Sequence, residues 1–397
     1  MQNKKLLSSP FELSKDGSHY DLSHAFLPRE APLGTLPKEC AVWEEVACAL
    51  PKLLMTNQYR KIVGALPSFP IEALRTAEEY ERAMVVLSYI GQAYVWASGE
   101  KPIAKLPKHL ATAWYAAATQ LGRPPILSYA SYALYNWKRI DLHKPIELGN
   151  IALIQNFLGG LDEEWFILIH VDIEAKATEG LMAIHPIQEA VTKKDISALT
   201  PLMKKMVGSL EAMNATMDCM PEFCDPYIYY NRVRPYIHGW KDNPALPEGM
   251  LYEGVTAYEN KPMKFKGETG AQSTIIPSFD ALLKIDHENN PLRTHLDEMR
   301  LYMPREHVAF LHSIEKGPSV RTCIQKHANN NGELRDLYNE CISLIGRFRG
   351  THLRFAADYI QKQNQTSLAN ATQVGTGGTP FMAYLKKHEE ETQKHFL

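Results

Sequence analysis

The clearest indication of fold class is the segment Phe348-Arg349-Gly350-Thr351-His352-Leu353-Arg354-Phe355-Ala356-Ala357-Asp358-Tyr359-Ile360, in which apolar side chains recur at helical spacing. Positions 345, 348, 352, 355, 356, 359 and 360 share one side of a helix. The pattern therefore predicts a helix whose inward face carries His352.

A second histidine, His170, lies in the apolar run WFILIHV at 165–171, where a helix would be buried nearly all round. Either histidine alone is more commonly a core residue with satisfied hydrogen bonds than a ligand. Together they allow a flat cofactor with an axial imidazole on one side and a polar group on the other. The pair therefore indicates a cofactor site more clearly than either histidine alone does.

Helical spacing of apolar residues dominates the rest of the chain, and the alternation typical of half-buried strands is scarce. Helices are predicted for 78–97, 106–121, 126–137, 202–219, 280–285, 305–315 and 334–359. The sequence thus predicts an all-α protein. Proline and glycine breaks favour a boundary between 141 and 160, so we expect a small, mainly helical N-terminal domain (1–155) and a larger helical domain (156–397).

Composition excludes several classes of function. The 397 residues carry 43 Lys plus Arg against 45 Asp plus Glu, a net charge of −2, so nothing indicates a nucleic-acid partner. The first ten residues lack the apolar core of a secretory signal, and no apolar run approaches the ~20 residues that span a bilayer. We expect a soluble, cytoplasmic protein that does not bind membranes.

The cysteines give little evidence of a metal site or a disulfide framework. Six cysteines are few for a chain of this length and fit reduced thiols. Cys219 and Cys224 are the closest pair, but no second pair stands at zinc-site spacing. Core or surface thiols are the preferred interpretation.

Several short segments resemble those of one family, the indoleamine 2,3-dioxygenases, which are haem enzymes that open the indole ring of tryptophan. They occur in the order found in that family. The segments are AYVW (93–96), PPILSYA (124–130), NWK (136–138), GWKDNP (239–244), LYEG (251–254), GAQS (270–273), MRLYMP (299–304), GPSVR (317–321) and GTGGT (375–379). So many ordered matches make chance resemblance very improbable.

The resemblance implies a helical haem domain, haem b with ferrous iron as cofactor, and O2 as co-substrate. The implied substrate is L-tryptophan or a related indoleamine, opened to N-formylkynurenine, and the family favours a monomer. Two alternatives stay open: a dioxygenase for another indole derivative, and a non-catalytic haem protein of the same fold that binds oxygen.

The resemblance also implies roles for individual residues. It places the proximal iron ligand at His352 and the haem propionates near Arg349, with Asp280 in the same network. Small residues of the glycine-rich turn would line the pocket, namely Gly270 beside the substrate and Ala271 and Ser273 beside the haem. Arg354, by contrast, fits a solvated charge on the helix.

On the distal side the resemblance implies a substrate pocket of Tyr129, Tyr132, Ala133, Phe166, Ile167, His170 and Tyr229. Phe166 and Tyr229 would wall in the indole. Arg234 would clamp the substrate carboxylate, although on its own it fits a surface arginine. Thr376 would contact the substrate ammonium or a propionate from a mobile lid, although its segment also fits a plain linker.

At the position of His170 the best-known family members carry a serine, whereas the related tryptophan 2,3-dioxygenases use a distal histidine. The residue is the candidate catalytic group of this chain. Its imidazole could accept the indole N–H, donate to bound oxygen, or close the sixth iron position. The residues leave these three roles open.

Overall fold

The computed structural model describes residues 21–97, 101–286, 291–327, 332–364 and 381–397, and helices dominate them. The first part of the chain forms α1 (Ala41–Cys48), α2 (Leu50–Leu53), α3 (Tyr59–Gly64), α4 (Ala77–Trp96) and α5 (Lys108–Leu121). The middle part forms α6 (Leu161–Lys176), α7 (Thr178–Lys193), α8 (Ile196–Asp218), α9 (Met220–Phe223) and α10 (Pro226–Ile228). The last part forms α11 (Ile275–Leu283), α12 (Pro291–Met299), α13 (Arg305–Lys316), α14 (Val320–His327), α15 (Gly332–Ala356), α16 (Lys362–Asn364) and α17 (Phe381–Gln393).

Shorter helical segments connect these helices. Tight 3-10 turns are formed by Lys38–Cys40, Ile71–Ala73, Arg234–Ile237, Thr256–Tyr258, Gly270–Gln272 and Arg300–Tyr302. Wide π-helical segments are formed by Ala130–Leu134, Tyr229–Val233 and Ala357–Gln361. The all-α prediction is therefore confirmed, and the long helix predicted at 334–359 corresponds to α15 with the π segment that follows it.

Strands are short and form two small sheets in the described part of the chain. β1 (Lys105–Leu106) pairs in parallel with β4 (Leu251–Tyr252), and β2 (Trp137–Arg139) pairs antiparallel with β3 (Ile151–Leu153). These pairs attach connecting loops to the helices and build no layer of their own.

The helix predicted over 126–137 is wrong. The chain forms only the π segment Ala130–Leu134 there and then enters β2. Buried Asn136 explains the break, because its side-chain amide donates to the hydroxyl of Tyr89 at 2.8 Å and to the carbonyl of Gln155 at 3.0 Å. These bonds hold the backbone in a turn although its apolar spacing resembles a helix.

Buried side chains form two clusters. One joins α1 to α5 with residues up to Val171 and with a returning segment that includes Tyr236, Trp240 and Tyr252. The other joins α7, α8, α11, α13 and α15. Helix α6 contributes to both, since Ile167 belongs to the first cluster and Ile169 to the second. The division into 1–155 and 156–397 remains a proposal.

Capping residues fix where the main helices begin and end. Thr76 accepts a hydrogen bond from the backbone N–H of Glu79 at 3.2 Å, and the Glu79 carboxylate accepts from the backbone of Thr76 at 3.0 Å, a reciprocal cap at the start of α4. Gly122 ends α5 with φ +73°. None of the helices within the described ranges has the length and apolar character needed to cross a membrane.

Candidate active site

One cavity of about 560 Å³ contains both histidines singled out in the sequence. Helices α6, α8, α11 and α15 contribute to its wall, together with the turn around Gly270. Its volume lies in the range of sites that enclose a cofactor or a drug-sized ligand. The sequence pattern thus pointed to two residues, 182 positions apart in numbering, that meet at a single site.

His352 presents its imidazole to this cavity. The side chain is exposed, and its accessible surface belongs to the cavity wall, with Phe348, Phe355 and Tyr359 on the same wall. Burial away from bulk water and the nearby His170 lower the pKa of His352 to about 4. Within the described residues no hydrogen bond to its ring nitrogens is present. A neutral imidazole in this setting is a suitable ligand for a metal.

His170 lies on α6 and is held differently. Its Nδ1 lies 2.7 Å from the backbone carbonyl of Phe166, one helical turn earlier. A carbonyl only accepts, so Nδ1 carries the proton of this bond. Burial lowers the pKa of His170, which keeps the ring neutral at pH 7. Nε2 therefore carries a lone pair and is the ring nitrogen available to a ligand.

Three aromatic side chains surround His170 on the cavity wall. The Phe166 ring lies 4.8 Å from the His170 ring and 4.6 Å from the Tyr229 ring, centroid to centroid. The Tyr129 ring meets His170 edge-on at 5.9 Å. Flat walls with one hydrogen-bonding imidazole suit an aromatic ligand that carries an N–H.

A hydrogen-bonded network behind the wall holds Tyr129. Its hydroxyl donates to Glu174 Oε1 at 2.9 Å, and the Ser273 hydroxyl donates to the same oxygen at 2.9 Å. The Gln272 side-chain oxygen accepts from the backbone N–H of Tyr129 at 2.9 Å. Glu174 is fully buried one turn after His170, and burial raises its pKa to about 7. The network ties α6, the Tyr129 segment and the Gly270 turn together.

Charged groups lie toward another part of the cavity wall. Arg349 Nη2 donates to Asp280 Oδ2 at 2.5 Å, and its Nη1 donates to the hydroxyl of Thr392. Lys284 and Arg300 line the cavity as well. Arg354 points away from this region and is exposed, with its Nη2 4.0 Å from Asp218. A group with an apolar body and carboxylate tails, such as haem, fits the combination of His352, its apolar neighbours and Arg349.

Some residues of the expected site do not reach the cavity wall. Arg234 is fully buried, and its guanidinium carbon lies 5.3 Å from the centroid of the Tyr230 ring. Burial raises the pKa of Tyr229, and the charge of Arg234 partly offsets this increase. Tyr132 and Ile167 are buried in the first cluster, and Ala133 with them. By contrast Gly270, Ala271 and Ser273 do line the cavity. Thr376 lies outside the described residues.

The π-helical segments of the described chain all adjoin this site. Ala130–Leu134 follows Tyr129, Tyr229–Val233 begins at Tyr229 and ends before Arg234, and Ala357–Gln361 follows the helix of His352. Such wide turns are frequent at functional sites because they re-aim side chains within a helix.

Cys219 and Cys224 are free thiols, and the described residues contain no group of three or more His, Cys, Asp or Glu side chains able to hold a metal.

Sequence reasoning missed two buried carboxyl groups at the site, Glu174 and Glu268. Glu174 carried a signal, because it is a carboxylate in an apolar helix four residues after His170. Glu268 lies in a loop without periodic spacing, where no pattern indicates burial.

Comparison with known proteins decides the family. The family model for indoleamine 2,3-dioxygenase matches residues 16–395. The chain belongs to the indoleamine 2,3-dioxygenase family. It is similar to indoleamine 2,3-dioxygenase 1 of Rattus norvegicus, with 36% identity over 378 residues and 92% of both chains covered.

Two further relatives of the chain have different names. Indoleamine 2,3-dioxygenase 2 of Homo sapiens is 32% identical and covers 97% of this chain and 96% of its own. A 6-hydroxytryptophan 2,3-dioxygenase of Fusarium equiseti is 29% identical, with 93% and 94% covered. The resemblance seen in the short segments is therefore confirmed, and the chain is an enzyme of the haem dioxygenase type.

Proposed function

We propose that this indoleamine 2,3-dioxygenase family member opens the indole ring of L-tryptophan with O2 to give N-formylkynurenine, with ferrous haem b as its cofactor. One observation carries the proposal: a single cavity combines an available imidazole, His352, with an aromatic wall around a second imidazole, His170. The first suits iron, and the second suits an indole N–H.

For the haem, His352 is the proposed iron ligand, since its imidazole is neutral and faces the cavity. Arg349, oriented by Asp280, is the proposed partner of a propionate. Ala271 and Ser273 supply small side chains next to the cofactor. When bound, haem iron supplies the activation of O2, which no side chain of this chain provides by itself.

For the indole, Phe166 and Tyr229 are the proposed flat walls, and Tyr129 closes the side next to His170. Tyr129 and Tyr229 are buried and Phe166 is partly buried, so the three rings shield the indole from water and fix its orientation. Gly270 leaves the space above the turn open, because no heavy atom lies within 4 Å of a Cβ built there. A ligand can therefore approach the backbone at that point.

His170 is the proposed catalytic residue, with Nε2 accepting the indole N–H. The bond from Nδ1 to the Phe166 carbonyl fixes the tautomer in which Nε2 has no proton to donate. This favours acceptance from the substrate over donation to oxygen. The role is to orient and polarise the indole, and it needs no strong base.

Arg234 is the proposed counter-charge for the substrate carboxylate. What supports this is a buried cation next to Tyr229, a residue of the cavity wall. The guanidinium does not itself line the cavity, so engaging a carboxylate requires a local rearrangement of the wall. Thr376, outside the described residues, is retained as a proposed contact of the substrate ammonium or a propionate.

A second substrate is favoured by one comparison, because a relative covering most of the chain is named a 6-hydroxytryptophan 2,3-dioxygenase. Tyr229, a phenol on the cavity wall, is compatible with a hydroxylated indole ring. We therefore keep 6-hydroxytryptophan as the alternative substrate.

Turnover of haem-reconstituted, reduced protein tests the proposal. L-Tryptophan and 6-hydroxytryptophan are supplied separately in air. The products, N-formylkynurenine and its hydroxylated counterpart, are followed by absorbance while the haem spectrum is recorded. We expect product from L-tryptophan at the higher kcat/KM. Product from 6-hydroxytryptophan alone would transfer the assignment to the alternative, and an oxygenated haem spectrum without product from either would contradict both.

A further inference from the structure

Glu268 places a carboxyl group at the wall of the same cavity, in a position that the roles above do not use. The side chain is 4% exposed and lines the cavity together with Phe166, His170 and Tyr229. Its charge raises the pKa of Tyr129 and of Tyr229. The carboxyl therefore lies within electrostatic reach of the aromatic rings proposed to hold the indole.

The backbone on either side holds Glu268 firmly in this position. Its N–H donates to the carbonyl of Ile237 at 3.2 Å. Gly267 packs so closely against Gly239 that a Cβ on Gly267 would lie 2.3 Å from the Gly239 nitrogen. Gln272 donates to the Gly267 carbonyl at 2.9 Å. Only glycine allows such an approach, so the two segments are fixed to each other at this point.

The same junction connects Glu268 to the proposed carboxylate partner. Ile237, which accepts the bond from Glu268, ends the 3-10 turn that begins with Arg234. A cation and a carboxyl are thus mounted on two joined segments beside Tyr229. An α-amino acid carries the matching pair of opposite charges a short distance from its side chain.

Burial also makes a cation the favoured partner for Glu268. It raises the pKa of this carboxyl to about 8, because the charged form is poorly solvated there. An ammonium group entering the cavity stabilises the carboxylate form, and a charge-assisted hydrogen bond is among the stronger contacts in a dry site. A ligand that lacks the ammonium cannot form this ion pair with Glu268.

We propose that Glu268 determines substrate specificity by binding the ammonium group of the substrate amino acid, opposite the carboxylate held by Arg234. The inference rests on the proposed function, since it deepens the recognition of L-tryptophan. Glu268 selects indoles with a protonated amine and discriminates against indole acids.

Three indole compounds distinguish the contributions of the two charged groups of the substrate. L-Tryptophan carries both, tryptamine only the ammonium and indole-3-propionate only the carboxylate. Their Kd values are measured from the shift of the haem Soret band in wild-type holoenzyme and in Glu268→Gln. The control is Glu174→Gln, which makes the same change at a buried carboxyl outside the cavity wall.

In Glu268→Gln we expect L-tryptophan and tryptamine to bind about tenfold or more weakly, and indole-3-propionate to bind as well as before or better. The Kd ratio of indole-3-propionate to tryptamine should therefore fall at least about tenfold. In Glu174→Gln that ratio should stay constant, even if all three ligands bind more weakly. KM for L-tryptophan should rise more than kcat falls.

An equal weakening of all three ligands in Glu268→Gln, or an unchanged ratio, overturns the inference. If Glu268→Gln does not load haem, Glu268→Asp is used instead, which keeps the charge but shortens the side chain by one methylene. An unchanged Kd ratio of indole-3-propionate to tryptamine in Glu268→Asp also overturns the inference. Failure of the wild type to bind or turn over L-tryptophan would instead contradict the proposed function, so the two failures are distinguishable.

Discussion

His170 and His352 face the same cavity from two helices, yet the protein holds them differently. His170 is fixed by a 2.7 Å bond from Nδ1 to the Phe166 carbonyl of its own helix. His352 has no such bond within the described residues, and its ring surface is exposed to the cavity. In His170 only Nε2 is available to a ligand, whereas in His352 neither ring nitrogen is engaged by a described residue.

The burial pattern alone does not assign a role to either histidine. Both residues lie on inward helical faces, and burial lowers the pKa of both. The bond at Nδ1 of His170 leaves its Nε2 as an acceptor, and the proposed assignment of iron to His352 follows the family resemblance. Identical substitutions at His170 and His352 therefore test whether the two residues have different roles.

The largest expected effect is the loss of haem in His352→Ala. Removal of the iron ligand should lower haem affinity by more than about a hundredfold, beyond the effect of losing an outer partner of a ligand. His170→Ala should load haem normally. Titration of the apoprotein with haem, followed at the Soret band, measures both variants. Equal haem affinity in the two variants would refute the assignment of different roles.

The next effect concerns the carboxyl one turn beyond His170. The pKa of Glu174 is raised from 4.5 to about 7 in the folded protein, so the unfolded chain ionises first and stability is lost as pH rises between these values. Glu174→Gln lacks this penalty. The free energy of unfolding of the variant, relative to wild type, should therefore rise by on the order of 3 kcal/mol between pH 4 and 8.

Urea unfolding of the haem-free proteins at several pH values measures this difference, and subtraction removes the contribution of other titrating groups. Glu179→Gln makes the same change at an exposed glutamate on the next helix and is the control for the substitution itself. A flat difference for Glu174→Gln would show that this carboxyl on the His170 helix ionises over the same pH range in the folded and unfolded protein.

The smallest effect concerns the hydrogen bond proposed for His170. Loss of one neutral hydrogen bond, about 1 kcal/mol, should lower kcat/KM for L-tryptophan five- to tenfold in His170→Ala. The 1-methyl derivative of L-tryptophan has no indole N–H, so its kcat/KM should be nearly the same in wild type and variant. An equal loss for both substrates would remove the acceptor role. A low-spin, six-coordinate spectrum in the wild type alone would show that His170 binds iron.

Much of the fold followed from the sequence because long, strongly periodic helices are specified locally. The helix of His352 was predicted within a few residues of α15 and its π extension. The helix predicted over 126–137 was wrong because the hydrogen bonds of the Asn136 side chain to Tyr89 and Gln155 are tertiary contacts. Such contacts do not appear in the spacing of apolar residues.

For the site, the sequence predicted the residues that lie on periodic helices but not those placed by loops. His352, His170 and Phe166 lie on helices whose spacing shows which side is buried, and the structure brings them to one cavity. Glu268 depends on a loop held by the approach of Gly239 and Gly267, and the position of Arg234 away from the cavity wall depends on packing. Such long-range contacts have no local signature.

Chemical rescue tests the distinction between the two histidines most directly. His352→Gly and His170→Gly are each mixed with haem and with increasing free imidazole. We predict that imidazole restores haem binding and a histidine-type Soret spectrum in His352→Gly, and that His170→Gly binds haem without added imidazole. If His170→Gly needed imidazole to bind haem and His352→Gly did not, the iron ligand would be His170 and the proposed assignment would be wrong.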